Sequence, residues 1–119
     1  MASKLLDIYK RLLQYNDKKI YIAINSKTQE PYFHAKQLCD MLEYVNPQVA
    51  IQTNVDKKDI FYLKDIVKNY KILYTNVQGH TKFLNEPWLY SLILKSKKKE
   101  AKEIFNFITH EVMPSLRQF

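Results

Sequence analysis

Residues 31–54 read PYFHAKQLCDMLEYVNPQVAIQTN, and this stretch decides the fold class. Residues 31–33 have the composition of a short strand. Residues 34–43 follow at once as a helix whose inner face carries Leu38, Met41 and Leu42. A strand that passes directly into an amphipathic helix predicts an α+β domain, in which several short helices pack on a small antiparallel sheet.

A second helix is predicted to begin at Asn46 and Pro47 and to extend to about residue 54. Asparagine caps the free amide groups of a helix start, and proline suits the first helical turn. Tyr44 and Val45 connect this helix tightly to the preceding one. The pair of helices therefore resembles a helix-turn-helix arrangement.

Toward the N-terminus, residues 3–15 place apolar side chains at helical spacing and predict an extra amphipathic helix. We therefore divide the chain into an N-terminal extension, residues 1–17, and one domain, residues 18–119. The first strand of the domain is predicted at residues 20–24, and a turn at residues 25–28 follows it.

Toward the C-terminus, residues 60–63 are predicted as a strand and residues 65–70 as a helical turn. Residues 71–77 and 81–84 then form a predicted hairpin around Gln78 and Gly79. Gly79 is the only glycine, so a positive φ is expected there.

The sequence Asn85-Glu86-Pro87 repeats the cap-then-proline signal before an apolar helix, residues 88–94, which ends at Ser96. Residues 97–113 form the longest predicted helix, and Pro114 is expected to stop it.

The charge of the chain favours a polyanionic partner. The 119 residues include 19 Lys and Arg against 12 Asp and Glu, a net charge of +7. DNA, RNA and an acidic membrane surface all attract such a chain, and solubility charge is the alternative explanation. Only Arg11 and Arg117 are arginine. Lysine seeks phosphate as a point charge, so bidentate reading of guanine by arginine is not expected.

Several classes of protein are disfavoured. Cys39 is the only cysteine, so no intramolecular disulfide is possible and a reducing compartment is expected. The chain opens without the pattern of a signal peptide, and no apolar run approaches the ~20 residues of a membrane span. We expect an intracellular protein without a membrane role.

The sharpest basic cluster is at the predicted start of the last helix. Lys95, Lys97, Lys98 and Lys99 lie there, and Lys102 follows. Free amides and ammonium groups at a helix start are predicted to bind phosphate together. The alternative is a solvated loop that Glu100 and Glu103 compensate.

A second candidate site is the helix after Asn46. Gln48 and Gln52 are four residues apart and share a face, where glutamine can pair with adenine in the major groove. Val49 and Ile51 are predicted to face the core. Phosphate-binding lysines are assigned around this helix: Lys36, Lys57 and Lys58. The alternative is an ordinary solvated helix face.

Aromatic residues offer a third possibility. Tyrosines that alternate with lysines can stack on unpaired bases, and the two residue types alternate in sequence at Tyr62, Lys64, Tyr70, Lys71, Tyr74 and Lys82. Packing in the core and sheet is the preferred interpretation for most aromatic residues, and Trp88 is predicted to be a core residue.

Catalysis finds little support in the sequence. The spacings of His34, Cys39, His80 and His110 match no zinc pattern, and no orienting group accompanies the cysteine. One glycine cannot form a phosphate-cradling glycine loop. We therefore predict no catalytic residue, no metal site and no cofactor.

Three motifs together resemble the N-terminal domain of the BRO family. The first runs from Tyr32-Phe33-His34-Ala35-Lys36 to Tyr44-Val45-Asn46-Pro47, the second is Phe83-Leu84-Asn85-Glu86 with Leu89-Tyr90-Ser91-Leu92-Ile93-Leu94, and the third joins Ser96-Lys97-Lys98 to Met113-Pro114-Ser115-Leu116-Arg117. The resemblance covers about residues 18–118 and is weak over residues 56–80. Lys99 stands where many members have proline.

The resemblance implies a DNA-binding protein of large DNA viruses, baculoviruses or phages, whose phage relatives act as antirepressors. The partner it implies is double-stranded or single-stranded DNA, with a place in the host cytoplasm or nucleus. The alternative is a protein-interaction module that binds a repressor or a host regulatory protein. A homodimer through the first helix is a further expectation.

Overall fold

The computed structural model describes residues 4–7, 12–15, 17–25, 27–54, 56–67 and 78–117. In this part of the chain, six strands form one sheet in the order β1-β2-β3-β4-β6-β5, and every neighbouring pair is antiparallel. The strands are β1 (Lys4–Asp7), β2 (Leu12–Tyr15), β3 (Lys18–Ile24), β4 (Pro31–His34), β5 (Ile60–Tyr62) and β6 (Lys82–Asn85).

Within the described residues, six α-helices surround the central strands: α1 (Ala35–Met41), α2 (Pro47–Asn54), α3 (Leu63–Ile66), α4 (Glu86–Lys95), α5 (Ala101–Phe107) and α6 (Met113–Arg117). A 3-10 turn, Lys57–Asp59, precedes β5, and a π-helical segment, Ile108–Val112, joins α5 to α6. The fold is therefore of the predicted α+β class, with the predicted long helical region at the C-terminus.

The central strands bury both faces of the sheet. Successive side chains of a strand point to opposite faces, so neighbours in sequence enter different cores. Phe33 and Leu84 lie opposite each other across β4 and β6 and belong to the larger core, which α1, α2, α4 and the C-terminal helices cover. Tyr32 and Phe83 belong to the smaller core, on the side that α3 covers. The larger core holds α1 and α2 in place on the sheet.

The predicted N-terminal helix, residues 3–15, is wrong where the structure describes these residues. The segments Lys4–Asp7 and Leu12–Tyr15 are paired strands. Residues 22–24 of β3 pair with β4, and residues 18–21 of β3 pair with β2. An available sheet edge offers a full set of backbone hydrogen bonds, and this outweighs the helical spacing of the apolar residues.

The C-terminal helical region differs from the prediction at both ends. It begins at Ala101 rather than at residue 97, and it passes through Pro114 to Arg117 instead of stopping there. Proline lacks an amide and crowds the carbonyl four residues earlier. The π-helical turn just before it, in which the Met113 amide donates to the Ile108 carbonyl, supplies the wider spacing that lets the helix continue.

The expectation of a positive φ at Gly79 is also wrong, since no glycine has one. Gly79 is buried, and its carbonyl accepts a hydrogen bond of 3.0 Å from the Lys64 amide at the start of α3. β6 pairs with β4 on one side and with β5 on the other. Residues 68–77, which include the predicted strand 71–77, lie outside the described residues. The other predicted strands and helices are confirmed to within about two residues, except for the helical turn predicted at residues 65–70. The helix there, α3, is Leu63–Ile66, and residues 68–70 lie outside the described residues.

Candidate nucleic-acid interface

The helix α2 presents a polar face to solvent. The Asn46 side chain caps it as predicted, because its Oδ1 accepts from the Val49 amide at 3.2 Å. Ala50 and Ile51 are buried, at 8% and 5% exposure. The remaining face is exposed: Gln48, Val49, Gln52 and Thr53. The prediction that Val49 faces the core is wrong, since its side chain is 52% exposed.

A groove of about 530 Å³ opens beside this face. The starts of α1, α2 and β6 meet around it, and we call it the α2 groove. It is lined by His34, Ala35, Lys36, Asn46, Pro47, Gln48, Ile51, Thr81 and Lys82. The groove brings together two of the predicted site residues, Lys36 and Gln48, and adds Lys82 to them. None of these lining residues is acidic, so the groove is positively charged.

His34 shapes the groove without adding charge to it. Its Nδ1 accepts from the Gln37 amide at 3.3 Å, so the imidazole caps α1. Burial, with Lys36 as a second cause, lowers the pKa of His34 from 6.5 to about 4. The ring is therefore neutral at pH 7, and the positive charge of the groove comes from Lys36 and Lys82.

Acid is expected to destabilise the domain through His34. The unfolded state binds the extra proton below about pH 6.5, whereas the folded state resists it down to about pH 4. The His34 contribution to stability is therefore complete above about pH 6.5 and is lost as the pH falls toward 4, by on the order of 2 kcal/mol. Denaturant titrations between pH 7 and 4.5 measure it.

The control is His34→Asn, because asparagine caps a helix but does not titrate. We expect the free energy of unfolding of this variant to fall less between pH 7 and 4.5 than that of the unchanged protein. Equal losses in the two proteins would show that His34 is not the titrating group.

The predicted lysine cluster extends from the last residue of α4 through the following turn to the start of α5. We call residues 95–102 the lysine-rich turn. Four lysine side chains of this turn are exposed: Lys95, Lys97, Lys99 and Lys102. Two backbone amides of this turn already donate hydrogen bonds within the protein. The Lys98 amide donates to Ser96 Oγ at 3.1 Å, and the Ala101 amide donates to the Lys98 carbonyl at 3.1 Å. The turn therefore offers exposed ammonium groups to an anion, and the N-cap residue of α5, Glu100, makes no side-chain hydrogen bond to the amides at the helix start.

Lys98 differs from its neighbours because its side chain is only 11% exposed. Its Nζ donates to the Met41 carbonyl at 2.9 Å and lies 3.0 Å from Glu43 Oε2. Ser96 Oγ donates to the adjacent Leu42 carbonyl at 3.2 Å. Both residues therefore satisfy carbonyls at the C-terminal end of α1, where a positive charge is also favourable.

The end of α1 is a tight turn that positions α2. The Tyr44 amide donates to the Cys39 carbonyl and the Glu43 amide to the Asp40 carbonyl, a Schellman pattern. Glu43 has a φ of 59°, the left-handed conformation usually taken by glycine at this position. The ion pair with Lys98 joins Glu43 to the lysine-rich turn, which therefore contacts the connection between α1 and α2.

The structure places nine of the ten predicted site residues on two surfaces. Lys36, Gln48, Gln52 and Lys58 are exposed around α2, while Lys95, Lys97, Lys98, Lys99 and Lys102 belong to the lysine-rich turn. The side chain of Lys57 lies outside the described residues. In the stacking hypothesis, Tyr62 is 38% exposed, and Tyr70 and Tyr74 lie outside the described residues.

Two residues of the interface were missed by sequence reasoning. Val49 was assigned to the core, although a helical period of 100° per residue places it nearer to Gln48 and Gln52 than to Ile51. Lys82 was grouped with the tyrosines, and no local signal places it beside Lys36. Only the antiparallel pairing of β6 with β4 brings the start of β6, where Lys82 lies, next to the end of β4, which Lys36 follows in α1.

The chemistry of the other candidate residues is limited. Cys39 is buried as predicted, and burial raises the pKa of its thiol to about 11, so the reactive thiolate is disfavoured. In the described part of the chain, His, Cys, Asp and Glu side chains form no group of three that could hold a metal ion. Within the same residues, none of the helices has the length and hydropathy of a transmembrane span.

Comparison with known proteins relates this chain to one family. The model of the BRO family N-terminal domain, Bro-N, matches residues 19–114. Protein 289L of Invertebrate iridescent virus 6, named for a Bro-N domain, is 29% identical over 91% of this chain and 31% of its own length. Protein 019R of Invertebrate iridescent virus 3, named in the same way, is 27% identical over 83% of this chain and 28% of its own length.

An uncharacterized protein of Haemophilus influenzae is 30% identical over 87% of this chain and 48% of its own length. The chain thus spans between about a quarter and a half of the length of these relatives. No solved structure matches it.

Proposed function

Since this chain belongs to the BRO family and carries its N-terminal domain over residues 19–114, we propose that it is the DNA-binding domain of a viral or phage regulatory protein. Lysines hold the phosphate backbone, and α2 makes a limited number of base contacts. The observation that carries the proposal is the α2 groove, in which Lys36 and Lys82 lie beside the N-terminal end of the exposed helix α2. The domain is assigned no catalytic step.

The charge of the groove suits a phosphate backbone. Two lysines and no carboxylate line it, and the amide group of Asn46 and the hydroxyl of Thr81 add hydrogen-bonding groups. Phosphate contacts from such residues fix the position of a protein on DNA, while base contacts come from the element that enters the groove of the duplex. Gln48 lines the α2 groove and also lies on the exposed face of α2. Base contacts from α2 would therefore lie next to the phosphate contacts of the groove.

The lysine-rich turn is proposed as a second contact with the backbone. Lys97 and Lys99 are exposed on either side of Lys98, whose side chain is turned into the protein. Because Lys98 is used to cap α1, we assign it a structural role and leave phosphate binding to its neighbours. The tie between Lys98 and Glu43 holds this turn against the end of α1.

Duplex DNA is proposed as the preferred form. Single-strand binding depends on aromatic side chains that stack with successive bases. In the described residues the exposed large hydrophobic side chains are Val45, Val49, Tyr62 and Leu94, and only one of these is aromatic. An exposed short helix with polar side chains is better suited to the major groove.

A protein-interaction module is the second candidate, and one observation favours it. Val45 is fully exposed and Leu94 is 73% exposed. Val45 and Lys95, the neighbour of Leu94 in α4, line one groove at the lysine-rich turn. Exposed apolar residues among charges are typical of surfaces that bind other proteins.

Fluorescence anisotropy with labelled 20-base-pair duplex and 20-base single-stranded DNA tests the proposal. If about four phosphates are contacted, the duplex affinity falls about 100-fold between 50 and 200 mM salt. We expect tighter binding to the duplex than to the single strand. A folded protein that binds neither DNA at 50 mM salt contradicts DNA binding and favours the protein-interaction module.

A further inference from the structure

We propose that α2 reads A·T base pairs in the major groove, with Val49 packing on the thymine methyl group and Gln48 and Gln52 bonding adenine. This inference rests on the proposed DNA binding and concerns its specificity. It arises from the exposure of Val49, an apolar side chain that lies in solvent between polar neighbours.

The composition of α2 selects one kind of base pair. Its residues, Pro47–Asn54, include no lysine, arginine, aspartate or glutamate. Guanine is read in the major groove by arginine or lysine, and cytosine is read by a carboxylate, so the helix has neither group for a G·C pair. Glutamine pairs with N6 and N7 of adenine, and an apolar side chain contacts the thymine methyl.

The position of α2 agrees with insertion into a groove. One face is buried through Ala50 and Ile51, and the opposite face is free for contact. The α2 groove places Lys36 and Lys82 at the N-terminal end of the helix. The exposed Lys58 lies in the turn that follows its C-terminal end. Lysines at both ends of an uncharged helix place phosphate contacts outside the bases and leave α2 to face the base edges.

The exposed face of α2 is held in position by hydrogen bonds within the domain. Asn46 caps α2, and Tyr44, just before it, donates from its hydroxyl to the Leu92 carbonyl at 2.7 Å. The connection between α1 and α2 is thereby fixed to α4. A helix held in this way presents Gln48, Val49 and Gln52 in one orientation, as base reading requires.

Four duplexes of equal length test the inference by anisotropy at one salt concentration: alternating A·T, alternating G·C, A·T with uracil in place of thymine, and alternating inosine·cytosine. We expect the A·T duplex to bind about tenfold more tightly than the G·C duplex, the lower end of what one bidentate base contact contributes. Uracil lacks the methyl group, so the uracil duplex is expected to bind several-fold more weakly than the thymine duplex.

The inosine·cytosine duplex separates the two grooves, because it has the major-groove edge of G·C without the guanine amino group in the minor groove. Reading by α2 in the major groove predicts that it binds as weakly as the G·C duplex. If it binds as tightly as the A·T duplex, the preference comes from the minor groove or from DNA shape, and the inference is wrong.

Val49→Ala tests the assignment to a residue. This variant loses both γ-methyl groups of valine, and we expect it to bind the thymine and uracil duplexes equally. Val49→Thr keeps one γ-methyl group and is expected to retain the difference. Because Val49 is exposed, both variants are expected to melt at the temperature of the unchanged protein, which circular dichroism checks. An undiminished thymine preference in Val49→Ala contradicts the role of Val49.

The failure of the inference differs from the failure of DNA binding itself. Equal and salt-dependent binding of all four duplexes leaves the proposed function standing and overturns base reading by α2. Binding to none of them at low salt overturns both proposals.

Discussion

Replacing Lys36 and Lys82 together by glutamine is expected to weaken binding to duplex DNA, and the factor by which affinity falls should be about 60 times larger at 0.1 M salt than at 1 M salt. Both residues line the α2 groove, and none of its described lining residues is acidic. Each lysine that holds one phosphate contributes about 0.9 to the slope of log affinity against log salt, so the double variant should lose about 1.8 from that slope.

The reduction should be the same for every DNA sequence, because phosphate contacts carry no base information. Anisotropy titrations at four or five salt concentrations give the slope directly. The matched control is the double variant Lys19→Gln with Lys27→Gln, which removes the same charge from exposed positions at the start of β3 and in the turn after it.

If the control lowers the slope as much as the groove variant does, only net charge matters and the groove is not the binding surface. A slope unchanged in the groove variant would also contradict the assignment. Circular dichroism on both double variants shows whether the fold is retained.

Local signals in the sequence were sufficient where the structure is locally determined. The strand β4 and the helices α1 and α2 follow from apolar spacing and from the caps at Asn46 and Pro47. The hydrogen bonds that start these helices join residues close together in the sequence, as in the cap that Asn46 forms on the Val49 amide. Short segments of this kind are predictable from a single sequence.

The failures have non-local causes. Residues 4–7 and 12–15 are strands because β3 offers an edge to pair with, and nothing within residues 3–15 indicates that edge. The last helix begins at Ala101 instead of residue 97 because Lys98 is drawn toward the carbonyl of Met41, 57 residues earlier. Tertiary contacts of this range override local propensity.

The candidate site was predicted in part for the same reason. The residue types, lysines around a glutamine-bearing helix, are visible in the sequence, and the structure brings Lys36 and Gln48 to one groove. Lys82 enters the groove only through the pairing of β6 with β4. Conversely, Lys98 has the same side chain as Lys97 and Lys99, and only its burial shows that it serves the fold.

The distinction between Lys98 and its neighbours gives the second large effect that we expect. Lys98→Met keeps the length of the side chain and removes its hydrogen bond to the Met41 carbonyl and its ion pair with Glu43. A hydrogen bond from a charged donor at a largely buried site contributes on the order of 2 kcal/mol. We expect the free energy of unfolding to fall by about this amount in denaturant titrations.

Most of that loss should come from the carbonyl and little from the ion pair, because the Glu43 side chain is 63% exposed. Glu43→Gln is therefore expected to cost less than about 1 kcal/mol, which is the usual contribution of an exposed pair. A larger loss in Glu43→Gln than in Lys98→Met would reverse this order and show that the ion pair dominates.

The matched variant for binding is Lys97→Gln with Lys99→Gln, which changes two exposed side chains of the same turn. Its stability should stay within about 0.5 kcal/mol of the unchanged protein, as for most surface substitutions. Its salt slope for duplex DNA should fall by up to about 1.8 if both lysines hold phosphates. Lys98→Met should show the opposite behaviour, with lower stability and an unchanged slope at temperatures where it remains folded. A reduced slope in Lys98→Met, measured while the protein is folded, would mean that this lysine leaves the Met41 carbonyl to bind DNA.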